Sequence, residues 1–146
     1  KTNMKKILAV LATITLTMTA CADHNHLIEY SELPVQAQAF IQKYFNISDV
    51  AVIQAEDFGR SREYDIRLKN GTEIDFDYQG NLKSINCEIS PVPEGIVPEL
   101  ITSYVKLHYP QHFIVEYTIN YRRLEVELSN GIDLIFDLEG HFIGVD

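Results

Sequence analysis

Two carboxylate-rich tracts invite a chemical reading: NGTEIDFDYQG, beginning at Asn70, and NGIDLIFDLEG, beginning at Asn130. In the first, Glu73, Asp75 and Asp77 alternate along an extended segment and so share one strand face. Three carboxylates in a row could attract calcium, which takes about six to eight oxygen ligands from a folded-back loop. An extended strand does not wrap an ion, and Ile135 stands in the second tract where Asp75 stands in the first. No DxDxDG loop is present. A solvated acidic face is the favoured reading, and neither a metal nor a cofactor is expected.

The other groups able to do chemistry are dispersed. His24 and His26 lie in a polar segment that reads as a tether. His108 and His112 are four apart, but Pro110 between them interrupts the helix that would align two zinc ligands, and His141 falls in a turn. Cys87 sits in SINCEIS beside Glu88, an acidic neighbourhood that does not favour a thiolate. The motifs GxSxG, HExxH, GxGxxG and the P-loop are missing from the chain. A catalytic residue set is therefore not expected, and an enzyme of an unrecognised class ranks third among the readings.

Charge narrows the partners. The chain of 146 residues has 21 Asp and Glu against 12 Lys and Arg, a formal charge of −9. Nucleic acid requires a cationic footprint, which this composition does not offer. An electrostatic grip on anionic lipid is disfavoured for the same reason.

The first residues read as an address rather than as fold. Lys5 and Lys6 precede an apolar run from Ile7 to Thr19, and Ala20 then precedes Cys21. That is a secretory signal, too short to span a bilayer as a helix. The tract MTAC resembles a bacterial lipobox, which implies cleavage after residue 20 and lipidation of Cys21; plain secretion is the alternative. The expected organisation is a signal peptide at 1–20, a tether at 21–30, one repeat at 31–90 and a second at 96–146, the two forming one domain. Membrane contact would be through the lipid alone.

The repetition runs deeper than the two acidic tracts. Ala37, Phe40, Ile41, Tyr44 and Phe45 fall on Ile101, Tyr104, Val105, His108 and Tyr109 at an offset of 64 (101 minus 37). Both sets follow the spacing of one buried helical stripe, and Pro34 and Pro98 suit helix starts. Each helix is followed by four period-two segments: VAVIQAEDF, EYDIRL, TEIDFDY and NLKSINCE, then FIVEYTINY, RLEVEL, IDLIFDL and HFIGV. The expected fold is α+β, a tandem repeat of one helix plus four antiparallel strands, giving a sheet of about eight strands with helices on one face.

Strand phase dictates the turns. A two-residue loop at Asn70-Gly71 would set Glu73 opposite Leu68 on the apolar face. A three-residue loop instead pairs Leu68 with Thr72, Ile66 with Ile74 and Tyr64 with Phe76, with Gly71 left-handed in a bulge. The same rule at Asn130-Gly131 pairs Leu128 with Ile132, Val126 with Leu134 and Leu124 with Phe136. The tracts FDYQG and FDLEG then become type I turns, with Asp77 and Asp137 accepting local N–H groups and Gly80 and Gly140 fourth. Phe76 faces Leu82, Phe136 faces Phe142, and the recurrent aspartates need no catalytic explanation.

The helix opening with LP or VP, followed by YDIRLKNGTEIDFDYQGNL or LEVELSNGIDLIFDLEGHF, resembles the PepSY-like family, itself described as similar to the β-lactamase inhibitory protein. The resemblance spans about residues 33–145. It implies a noncatalytic extracytoplasmic protein with an open sheet face, and it implies regulation or inhibition of a secreted or envelope hydrolase of the peptidase or β-lactamase class. It carries no contact residues. Alternation alone nominates Asp65, Arg67, Glu73 and Asp75 in the first half and Arg123, Glu125, Glu127, Asp133 and Ile135 in the second as a partner-binding face, or equally as residues that keep the sheet soluble. The alternative function is an envelope lipoprotein that binds a small ligand or cation as sensor or carrier. Oligomeric state is left open.

Overall fold

The computed structural model describes residues 25–146. The expected signal peptide and Cys21 lie outside the described residues. Nine strands form one antiparallel sheet in sequential order. They are β1 (Asn25–Leu27), β2 (Val50–Phe58), β3 (Ser61–Leu68), β4 (Glu73–Phe76), β5 (Leu82–Asn86), β6 (Ile114–Ile119), β7 (Leu124–Leu128), β8 (Asp133–Phe136) and β9 (Phe142–Val145). Two helices, α1 (Val35–Tyr44) and α2 (Glu99–His108), precede β2 and β6 respectively. The sheet thus has one strand more than the expected eight. The extra strand is β1, which lies inside the expected tether and pairs His26 with Ala55.

Within each half, from β3 to β5 and from β7 to β9, each strand closes on the next by the turn that its phase requires. Tyr64 faces Phe76 and Ile66 faces Ile74, while Leu124 faces Phe136 and Val126 faces Leu134. At the two Asn-Gly loops, Leu68 N–H donates to Thr72 C=O at 2.8 Å and Leu128 N–H to Ile132 C=O at 2.9 Å. Gly71 and Gly131 take φ of 92° and 78°, left-handed values that cost a side-chain-bearing residue energy. The next turns are equally alike. The Asp77 carboxylate accepts the N–H of Gln79 and Asn81, each at 2.9 Å. Asp137 accepts from Glu139 at 3.0 Å and His141 at 2.8 Å.

Alternation places Ile66, Ile74, Phe76, Ile85, Leu128, Leu134 and Phe136 on one face, all at 0% exposure. The helices cover that face. Ala37 and Ile41 of α1 and Ile101 and Val105 of α2 are buried, while Phe40 meets Phe76 edge-on at 5.4 Å and Tyr104 meets Phe136 edge-on at 5.5 Å. Each buried large apolar side chain contributes about 1.5–3 kcal/mol. The expected stripe errs at one end: His108 is exposed, its ring tilted against Tyr104 with 4.2 Å between centroids. Helix α2 ends there because Pro110 cannot continue it.

The helices descend onto the turns at glycine. A Cβ on Gly80 would meet Pro34 Cβ at 2.8 Å and the Ala37 backbone nitrogen at 2.9 Å; on Gly140 it would meet Leu100 Cβ at 3.3 Å; on Gly131 nothing lies within 4 Å. Alanine substitutions are expected to rank accordingly in urea denaturation. Gly131→Ala should cost about 1–2 kcal/mol from the left-handed backbone alone. Gly140→Ala should cost more, and Gly80→Ala the most, at least ~3 kcal/mol. Equal losses at all three would refute the close approach of helix to turn.

Candidate functional site

The face opposite the helices is open, and every sheet residue nominated from sequence lies on it. Asp65 pairs with Asp75 and Arg67 with Glu73 across β3 and β4; Glu125 pairs with Ile135 and Glu127 with Asp133 across β7 and β8. Arg123, just before β7, reaches Glu125 at 2.5 Å. The pairing of β5 with β6 joins these two patches, setting Ser84 against Thr118 and Asn86 against Glu116. Two unbroken cross-strand rows result. One runs Arg67, Glu73, Asn86, Glu116, Glu127, Asp133; the other runs Gln54, Asp65, Asp75, Ser84, Thr118, Glu125, Ile135.

Sequence reasoning missed the middle of this surface. Asn86 Nδ2 donates to Glu116 Oε2 at 2.8 Å, Thr118 Oγ1 to Glu116 Oε1 at 3.3 Å, and Ser84 Oγ to Asp75 Oδ2 at 2.5 Å. The available signal was the alternation of SINCE and IVEYT, which puts Ser84, Asn86, Glu116 and Thr118 in phase with the nominated residues. Three ion pairs offset part of the charge: Arg67 with Glu73, Lys83 with Glu63 at 2.6 Å, and Arg123 with Glu125. These pairs are partly solvent-exposed and contribute about 1 kcal/mol each at most.

Electrostatics mark two carboxylates as the least comfortable. Burial raises the Asp65 pKa, and the neighbouring Asp75 and Glu73 raise it further against Arg67. Burial likewise raises Glu116, with Glu127, Asp133 and Asp75 adding to it and the Thr118 hydroxyl opposing. Turn carboxylates behave in the other sense. The N–H of His141 leads in holding Asp137 low. At Asp77 burial pulls upward, but the Asn81 side chain with the Asn81, Gln79 and Gly80 N–H groups outweighs it.

Among the described residues, the other groupings do not assemble a reactive centre. The carboxylates of Asp137 and Glu139 and the His141 imidazole lie within 4.8 Å of one another. The His141 ring sits 3.0 Å from Asp137 Oδ2, where in the other half Asn81 Nδ2 donates to Asp77 Oδ2 at 2.9 Å. An amide does the same work as the imidazole, so the grouping closes a turn. His112 Nδ1 and Ser129 Oγ are 3.4 Å apart, beyond the ~2.6–3.2 Å of an activated nucleophile. A cavity of about 800 Å³ lies between residues 91–98, α2 and His112–Ile114, and its lining contains none of the open-face carboxylates. Cys87 is a buried thiol that desolvation pushes up, with the Thr72 hydroxyl opposing.

Fold and face together define a small α+β protein with one helix-covered side and one open, carboxylate-rich side. The chain belongs to the PepSY-like family, described as "putative beta-lactamase-inhibitor-like", whose profile matches residues 62–144. Among solved structures, a "putative periplasmic protein" of the DUF2874 family from Bacteroides vulgatus ATCC 8482 is 34% identical, with 86% of this chain and 98% of that one covered, at a TM-score of 0.80. A "putative calcium-regulated periplasmic protein" from Bacteroides thetaiotaomicron is 32% identical over 86% and 98% of the two chains, at 0.79. A third, a "putative periplasmic protein of unknown function" from Bacteroides vulgatus ATCC 8482, is 31% identical over 84% and 98%, at 0.77. No curated protein matches the chain. No enzymatic family is indicated by these likenesses.

The carboxylate shifts set a pH signature. A carboxylate whose folded pKa is raised favours the native state most at low pH, and its contribution declines as pH rises through the folded value. A lowered pKa contributes stability above the unfolded value, lost as pH falls through the folded one. Asp65→Asn is therefore expected to raise the melting temperature at pH 7, with the gain fading as pH falls through the raised folded value and gone below about pH 4. Asp77→Asn should lower it at pH 7, with the loss shrinking on acidification. Thermal melts across pH check both signs.

Proposed function

We propose that this chain is a noncatalytic exported binding module whose open sheet face docks a partner protein, and that the partner is a secreted or envelope hydrolase held or inhibited there. The observation that carries the reading is the continuity of the open face across β5 and β6, which leaves charged and half-buried side chains facing outward over the width of the sheet. The inhibitor-like description of the family and the periplasmic description of the neighbours support it. The helix and four strands at 31–90 and their counterparts at 96–146 are read as a duplicated unit, on the matching registers and turns. Lipidation at Cys21 would hold the module in the bacterial envelope.

A cation is the second reading. It is favoured by the raised pKa of Asp65 and Glu116 among like charges and by the calcium-regulated description of one neighbour.

Affinity capture from envelope extract is expected to recover a hydrolase whose activity falls on binding. Charge reversal by Glu127→Lys or Arg67→Glu should change its affinity by about tenfold or more; a partner indifferent to both would place the contact elsewhere. Calcium titration of the purified chain separates the second reading. A rise in melting temperature with calcium that Asp65→Asn and Glu116→Gln abolish would support it, and flat melts would remove it. Palmitate labelling in the native host is expected to disappear in Cys21→Ser.

A further inference from the structure

Strand β9 ends the sheet, with its outer edge unpaired among the described residues. The chain itself shows what covers such an edge. By register, β5 is the counterpart of β9: Phe76 faces Leu82 and Ile74 faces Ile85, as Phe136 faces Phe142 and Leu134 faces Val145, with the ladder shifting at the same place in each pair. Strand β6 pairs antiparallel along β5, and Ile85 there is 0% exposed, whereas Val145 is 57% exposed.

The helix above β9 departs from its counterpart in the same direction. Where α1 carries Gln36 and Lys43, α2 carries Leu100 and Leu107, 56% and 76% exposed. Between them Tyr104 stacks on Phe142 with 4.6 Å between centroids. Exposed edges are guarded by short strands and bulges, both of which β9 has, and also by lysine, other charge or proline. From Phe142 to Val145 there is neither a charged residue nor a proline, and the apolar strip continues from the strand onto the helix.

We propose that β9 pairs antiparallel with β9 of a second copy about a twofold axis, extending the sheet through both molecules while α2 of each copy closes over the seam. The segment is complementary to itself. With the axis between Ile143 and Gly144, Phe142 lies opposite Val145 of the second copy and Ile143 opposite its Gly144. His141 then lies opposite its Asp146, placing an imidazole against a carboxylate at both ends. Two chains of formal charge −9 repel one another over most of their surface, and this edge is where charge is sparse. Pairing β9 with β1 instead would join unlike edges and would not close, whereas a twofold pairing does. The open sheet face stays free in the dimer, so this assembly stands or falls apart from partner binding.

Sedimentation velocity of the full chain in neutral detergent, over about 1–100 μM, is expected to show a monomer–dimer equilibrium. Val145→Lys places a guard on the edge, and the double variant Leu100→Gln, Leu107→Lys gives α2 the residues of α1. Each should raise the dimer Kd at least about tenfold, with circular dichroism unchanged, and with melting unchanged at concentrations where the chain is monomeric, because all three side chains are exposed. The proposal is overturned by a monomer throughout the range, by a dimer indifferent to both variants, by a dimer lost only in Leu27→Lys on β1, or by assembly that continues past two copies.

Discussion

The first turn of each helix rests directly on the second turn of its own hairpin set, and the absence of a side chain at Gly80 and Gly140 makes this possible. Only at that separation does Phe40 reach Phe76 and Tyr104 reach Phe136. Ten-residue helices are too short to be stable alone, so their order comes from packing. The glycine contact thus fixes helix depth, helix depth fixes the aromatic pairs, and the pairs shield the apolar rows of the sheet.

Because both helices lie on one side, the sheet is asymmetric by construction. The covered side is dry and apolar. The other must be wet, and in this chain it gathers most of the acidic strand residues. Their mutual repulsion opposes folding, and the ion pairs of Arg67, Lys83 and Arg123 relieve it only in part. Asp65 and Glu116 remain where a carboxylate is poorly solvated. A surface arranged for solubility alone would interleave its charges more evenly.

Much of this was legible in the sequence for identifiable reasons. Period-two alternation located β2 to β9, and phase alone chose three-residue loops at Asn70 and Asn130, since a shorter loop would bury Glu73. Asp77 and Asp137 were legible as turn acceptors. Strand β1 was not, because Asn-His-Leu has no periodicity and acquires strand geometry only from the edge of β2. The Asn86–Glu116 pairing was hidden because it joins residues 30 apart (116 minus 86) through a connection without strand pattern. His108 misled because helical spacing assigns a side but not the depth at which the helix ends. The descent of the helices onto Gly80 and Gly140 is tertiary, and their role as turn glycines masked it.

Spatial order equals sequence order throughout the sheet, which has a consequence for how such a chain is made. From β2 onward each strand finds a neighbour among strands already made, and the helix that covers each half is already present when β2 to β5 or β6 to β9 arrive. Contacts between sequence neighbours carry little loop-closure entropy and favour rapid assembly. A chain delivered unfolded, amino end first, through a narrow conduit can therefore fold progressively as it emerges. It leaves little apolar surface waiting, and needs no distant segment to complete what has already formed.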